Sequence, residues 1–296
     1  MFRLFRWLLI AAALSCAAFW FLTRPDLLPT SAFSGLTGDP ARGEPVFWAA
    51  GCASCHMAEG ARDKAQLVLS GGQRFPSDFG TFVAPNISPD PDHGIGTWDL
   101  PDFANAVMRG VSPNGQHYYP VLPYTAYSKM ALQDVADLKS FMDGLPVSAT
   151  PSQPHDLSFP FTLRRGLGLW KLLFMKDNWA LQGDLPASAD RGRYIAEALA
   201  HCGECHTPRN RAGGLRRDRW LSGAPNPSGK GTIPNITPGK LDWTEAEIVE
   251  YLTSGFTPDY DVVGGHMVHV VENMARLPES DRRAVADYLK AVPAQD

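Results

Sequence analysis

The chain has no surplus of basic charge: 27 Lys and Arg stand against 31 Asp and Glu, leaving −4 with neutral histidine. A nucleic-acid partner needs a cationic face to neutralise its phosphates, so that class is excluded. A second long uncharged apolar run is also missing, which excludes a polytopic membrane protein. Fibrous repeats and blocks of like charge are absent, so neither a fibre nor a disordered acidic or basic tail fits. Cysteine is scarce, five in all, and four of the five fall into two close pairs. What remains is a globular chain of 296 residues, enough for about two domains with cores of their own.

The one long apolar run lies at the N-terminus. Arg3 and Arg6 precede it, Trp7 to Thr23 carries no charge, and Arg24 ends it. The run closes on Phe19-Trp20-Phe21-Leu22, side chains suited to a membrane interface rather than to a peptidase site. It is therefore read as an uncleaved anchor over 1–24 in preference to a cleaved signal or a lipoprotein signal at Cys16. Positive-inside logic leaves Arg3 and Arg6 in the cytoplasm and the rest exported, in a bacterial inner membrane with its folded part in the periplasm. All three arginines of this segment fall outside the exported part, which is three charges more negative than the whole chain. Such a surface favours a basic patch on a soluble acceptor.

The paired cysteines are Cys52/Cys55 and Cys202/Cys205, each followed at once by histidine, His56 and His206. C-x-x-C-H is the spacing of covalent haem attachment. One helical turn offers two thiols to the two vinyl groups, and the adjacent imidazole reaches the iron. A zinc site would need the pairs close together, but they lie 150 residues apart, and a dithiol redox pair would need a βαβ context that is absent. Two covalently bound haem c groups are the expected cofactors.

The motifs belong to a longer duplication. Pro85-Asn86-Ile87-Ser88-Pro89 returns as Pro234-Asn235-Ile236-Thr237-Pro238, Trp98 as Trp243, Gly110 as Gly255, and Leu138, Phe141 and Pro146 as Val285, Tyr288 and Pro293. Each half predicts a helix before the motif (40–51, 189–201), a Gly/Pro-rich loop, a middle helix (99–109, 244–254) and a last helix (131–143, 279–291). Thr244 with Glu247 forms a capping-box pattern, and Gly110 and Gly255 fit helix ends. The fold class is all-α: two tandem haem domains, 25–146 and 188–296, behind a transmembrane helix. Between them, 147–187 combines Pro151, Pro154 and Pro160 with an apolar run from Phe161 to Met175. It reads either as a strap packed between the domains or as a contact with a membrane surface or partner subunit.

A sixth ligand decides between a closed relay and an open iron. In the first half Met57 adjoins His56 and cannot reach the far face, Met108 and Met142 sit within helices, and Met130 lies just before the last helix; His117 is the alternative. In the second half the repeat places Leu277 opposite Met130, leaving Met267 and Met274 seven residues apart. Met274 mirrors the position of Met130; Met267 follows the flexible Gly264-Gly265; His266 and His269 flank it. Asn86 and Asn235 are read as Asx turns, with a haem propionate as the other role, and Gln73-Arg74 as a propionate contact or a solvated loop. Trp98 and Trp243 are read as core.

Phe79-Gly80-Thr81-Phe82, the run from Pro85 to Asp90, Gly94-Ile95-Gly96-Thr97-Trp98, Tyr119 to Tyr124, Lys129-Met130, Pro234 to Pro238 and Gly265 to Val271 together resemble the cytochrome c subunits of membrane-bound bacterial dehydrogenases. Those include alcohol, gluconate and related PQQ, flavin or molybdenum enzymes. The resemblance covers nearly all of 40–293, although many such subunits carry three haem domains and this chain has motifs for two. It implies Met130 and Met267 as sixth ligands. It also implies a carrier that relays single electrons from a dehydrogenase or other respiratory donor to a soluble cytochrome, an oxidase or quinone. No catalytic side chains are then required, because the cofactor carries the chemistry. A dihaem peroxidase or thiosulfate-oxidising enzyme is the rival reading. A thiolate-ligated iron has no exported cysteine left to use, and a redox sensor would need a signalling module that is not visible.

Overall fold

The computed structural model describes residues 2–226 and 231–296. Helix α1 (Phe2–Leu22) is long and apolar enough to cross a membrane, and none of its side chains is buried against the rest of the protein. The first half continues with α2 (Pro40–Ala49), α3 (Cys52–His56), strands β1 (Arg74–Ser77) and β2 (Gly80–Val83), α4 (Leu100–Arg109), α5 (Tyr124–Tyr127) and α6 (Leu132–Asp143). The connecting segment contributes β3 (Asp156–Leu157) and α7 (Gly166–Phe174). The second half contains α8 (Ala187–Arg193) running into a π-helical turn at Tyr194–Leu199, then α9 (Cys202–His206), β4 (Ala224–Pro225), β5 (Thr232–Ile233), α10 (Glu245–Ser254), α11 (Met267–Met274) and α12 (Glu279–Ala291).

Local chemistry sets these boundaries. Asp39 caps α2 by accepting the Ala41 N–H at 2.8 Å, and Asp99 caps α4 by accepting that of Asp102 at 2.8 Å. Thr244 and Glu247 form the expected capping box on α10. Gly110 and Gly255 close α4 and α10 at φ 60° and 80°, a left-handed conformation that costs glycine nothing. Strand is more than the all-α expectation allows, but slight: β1–β2–β3 form one antiparallel sheet and β4–β5 a two-stranded one. The β1–β2 and β4–β5 pairs lie in the loops after the cysteine motifs, where the backbone needs partners outside any helix, and β3 joins the first sheet from the connecting segment.

In each half the helix before the motif packs on the last helix, α2 on α6 and α8 on α12. Glycine permits the close approach. A Cβ on Gly43 would lie 2.8 Å from the Cβ of Phe141, and one on Gly192 2.8 Å from the Cβ of Tyr288. One continuous core runs through both halves, from Phe47, Met130 and Leu138 to Ile195, Leu221 and Tyr288. Trp98 and Trp243 pack against it, as expected of core residues.

The connecting segment combines features of both readings made of it. Lys171 Nζ donates to the carbonyls of Arg109 (2.6 Å) and Gly110 (2.7 Å), while Trp170 Nε1 donates to Ala212 O at 2.8 Å. Helix α7 therefore bridges the halves, yet Leu169, Leu172 and Leu173 remain exposed on its other side. Its first turn also meets the end of α1. Thr23 is fully buried: its carbonyl lies 2.9 Å from His117 Nε2 and its hydroxyl accepts from Arg165 Nε at 2.9 Å.

Candidate functional site

Each cysteine motif is a single helical turn entered through a left-handed residue, Gly51 at φ 67° before α3 and His201 at φ 43° before α9. The reversal separates the motif turn from the preceding helix and presents its side chains as a unit. No disulfide joins any of the four motif cysteines. Burial raises Cys52 and Cys202 to about 12, so they stay protonated in their apolar surroundings. Cys55 is exposed on its outer side, while the protein packed around it raises its thiol to about 11. The neighbouring thiol of Cys205 adds to that shift.

The histidines are held identically. His56 Nδ1 lies 2.8 Å from Pro85 O and His206 Nδ1 lies 2.8 Å from Pro234 O. A carbonyl can only accept, so Nδ1 carries the proton and Nε2 keeps its lone pair for a metal. Burial lowers the pKa of both rings, and the carbonyl contact only partly offsets it, so both are neutral at physiological pH. The prolines that supply these carbonyls open the repeated Pro-Asn-Ile segments. Asn86 Oδ1 accepts from Ser88 N at 2.9 Å and Asn235 Oδ1 from Thr237 N at 2.8 Å, the expected Asx turns. Their amides are occupied by backbone carbonyls, Ser148 and Thr150 for Asn86 and Gln295 for Asn235. Gln73 Nε2 donates to the carbonyls of Ser54 (3.1 Å) and Met57 (3.0 Å), a brace on the motif rather than a solvated loop. Two protonated thiols and one oriented imidazole lone pair per motif are the donor set that haem c attachment requires.

Met57, Met108, Met130 and Met142 are all buried. Met130 follows α5 and directly precedes the turn into α6. His117 is unavailable as a ligand, because Nε2 is engaged by Thr23 O and Nδ1 by Lys171 Nζ at 3.1 Å. Met267 is the first residue of α11, half-buried against the core, just after Gly265 at φ 60°. Met274 is buried at the other end of the same helix. His266 is exposed, and His269 pairs with Glu272 at 3.0 Å.

Sequence reasoning missed the residues that join the motifs. Thr125, five residues before Met130, donates to Glu204 in the second motif at 2.6 Å. Asn273, next to Met274, donates to Ser54 in the first at 2.9 Å. Tyr127 OH donates to Ala50 O at 2.6 Å, and its ring stands edge-on to His201 at 5.6 Å. Each half thus sends its late segment to the other half's motif. The sole trace in the sequence is that Ser54 and Glu204, both polar, share the third position of their motifs.

Residues 40–146 match the cytochrome c family. The chain is 58% identical over 286 residues, 97% of its length, to a dihaem cytochrome c-type protein of Cereibacter sphaeroides, covering 95% of that protein. It is 35% identical over 263 residues to the fructose dehydrogenase cytochrome subunit of Gluconobacter japonicus, covering 86% of this chain and 53% of that one. It is 32% identical over 274 residues to the cytochrome c subunit of the quinone alcohol dehydrogenase of Gluconobacter oxydans, covering 86% and 54%. The chain spans about half the length of these two dehydrogenase subunits. With the thiols and locked imidazoles, these similarities establish that the chain belongs to the cytochrome c family, an electron-transfer protein carrying covalently bound haem c.

Proposed function

We propose that this is a membrane-anchored periplasmic dihaem cytochrome c, with haem domains over 25–146 and 188–296, that relays single electrons from a dehydrogenase to a downstream cytochrome, oxidase or quinone. The observation that carries the reading is the repeated lock: behind each C-x-x-C-H, a proline carbonyl holds the histidine Nδ1 at 2.8 Å. Cys52 and Cys55 attach one haem, Cys202 and Cys205 the other. His56 and His206 are the proximal ligands, and Met130 and Met267 the distal ones. The haem supplies reversible one-electron chemistry. The chain's own residues orient the imidazoles, exclude water through the shared core and tie the motifs together. Dehydrogenase partnership is supported by relatives that are themselves cytochrome subunits of dehydrogenases.

Anchoring is supported by the junction at Thr23. Cleavage after Arg24 would leave His117 and Arg165 without the carbonyl and hydroxyl they hold. The exposed leucines of α7 adjoin that junction and suit a bilayer surface. Pyridine haemochrome absorbance against protein mass, with intact mass of the membrane-extracted protein, tests both points. Two haems on a chain retaining residues 1–24 is the expected result. One haem would overturn the dihaem reading, and a mass lacking the N-terminal segment would overturn the anchor.

A further inference from the structure

The two halves differ in charge beneath their cysteine motifs. Glu197, in the π-helical turn five residues before Cys202, is 2% exposed. Its carboxylate accepts from Tyr288 OH at 2.7 Å and from the backbone N–H groups of Ala180 (2.5 Å) and Leu181 (3.0 Å). Among the described residues no cation lies within salt-bridge distance of it. Lys129 and Arg217 line the same cavity and both feel the Glu197 charge, but neither forms an ion pair with it: Lys129 Nζ donates to Thr125 O and Arg217 to Asn178. The charge of Glu197 reaches Cys202, where it adds to the rise of the thiol. At the repeat's offset of 150 the first half has Phe47, fully buried and apolar. The other carboxylate near the second motif, Glu204, is paired with Arg209, so its charge is locally balanced. In the first half the Arg276 guanidinium lies 4.0 Å from the centre of the Trp48 ring, and the Glu44 carboxylate accepts from the Trp48 indole N–H at 3.5 Å.

A buried negative charge held by hydrogen bonds rather than by an ion pair stabilises the oxidised, more positive state of a nearby haem and so lowers its potential. We infer that Glu197 holds the haem of the C-terminal half at a lower potential than that of the N-terminal half, so that electrons pass from Cys202–His206 to Cys52–His56. The step is one electron, with the second haem oxidised and the first reduced. The receiving half is the one stapled to α1, through His117 to Thr23 and Arg109 to Asp26 at 2.5 Å. On this order the electron leaves from the half joined to the N-terminal segment. The inference rests on the dihaem reading above.

The test is a spectroelectrochemical titration of the full-length holoprotein and its Glu197→Gln variant. Glutamine keeps the shape and an acceptor oxygen but removes the charge. A buried unit charge within about 10 Å, at an effective dielectric of about 20, changes a one-electron equilibrium roughly tenfold, or about 59 mV. The expected result is two reduction steps, of which the lower alone moves up by about that amount. Movement of the upper step would reverse the proposed order, and movement of neither would remove Glu197 from the account. Tyr288→Phe is the control: it removes a hydrogen bond but leaves the charge, so the lower step moves far less than in Glu197→Gln. An equal shift in both variants would assign the effect to packing and overturn the inference. A haem count of one would instead refute the dihaem reading, which separates the two failures.

Discussion

Replacing Gly43 or Gly192 by alanine sets two well-calibrated effects against each other. Alanine in a helix interior is favoured over glycine by about 1 kcal/mol, so local propensity predicts stabilisation. The helix crossing predicts the opposite. The new Cβ would sit 2.5 Å from the carbonyl carbon of Asp137 at position 43, and 2.5 Å from that of Ala284 at position 192, and closer still to the carbonyl oxygens. Ordinary contact begins near 3.4 Å and the oxygens lie at 2.0 and 1.8 Å, so each helix pair must open by more than about 1 Å, enough to forfeit about half of the dispersion attraction at the seam. The obstruction is backbone, which no rotamer change relieves. Overpacking of this kind costs about 1–3 kcal/mol, and these sites belong at the upper end. The net expectation is about 2 kcal/mol of destabilisation, or roughly 4–8 °C in Tm for a chain of this size. Thermal unfolding of the holoprotein followed by Soret circular dichroism measures it. A rise in stability at either position would show that the crossings are not glycine-limited and refute the reasoning.

Met267→Ala is expected to open one haem to carbon monoxide and lower its potential, while Met274→Ala leaves both spectra unchanged; the reverse pattern moves the ligand to Met274. Thr125→Val removes a hydroxyl donor from a carboxylate and should cost about 1.5–3 kcal/mol, against about 1 kcal/mol for Asn273→Ala. Urea titration of the two single variants and the double variant checks those costs, and a double variant no worse than Asn273→Ala would show that the Thr125 tie carries no energy. Lys171 contributes a pH dependence of known sign. Burial, aided by Arg109 and opposed by Asp26, lowers its ammonium from the usual 10.5 to about 7. Between those values the unfolded chain holds a proton that the folded chain has released, so this group makes stability rise with pH from about 7 to about 10.5. Urea midpoints across that range should lose this part of their slope in Lys171→Met, and an unchanged slope would place the lysine in water.

Much of the fold was legible because its boundaries are local. Asp39, Asp99 and Thr244 announce helix starts through side-chain oxygens, and Gly110 and Gly255 announce ends through a conformation other residues avoid. The attachment motifs were legible because two thiols and an imidazole at fixed spacing have few other uses. The Asn86 and Asn235 turns followed from a side chain bonding two residues onward. What escaped depends on partners far along the chain. Nothing local in His117 reveals that Thr23 and Lys171 occupy both its nitrogens. Glu197 and Phe47 occupy matching positions, but only packing shows that the carboxylate is buried there. The π-helical turn was likewise invisible, since the repeat suggested an ordinary helix up to 201.

The crossed hydrogen bonds between each half's late segment and the other half's motif bear on how a duplicated gene becomes one machine. Two freshly copied domains are interchangeable, and either can be lost or transplanted. Here Ser54 and Glu204 have become different chemical addresses, one answered by an amide and the other by a hydroxyl. A second copy of the N-terminal half in place of the C-terminal half would bring serine where Thr125 now meets a carboxylate, and alanine where an asparagine now reaches across. The halves have specialised for each other, and their order along the chain can no longer be permuted without rebuilding the seam.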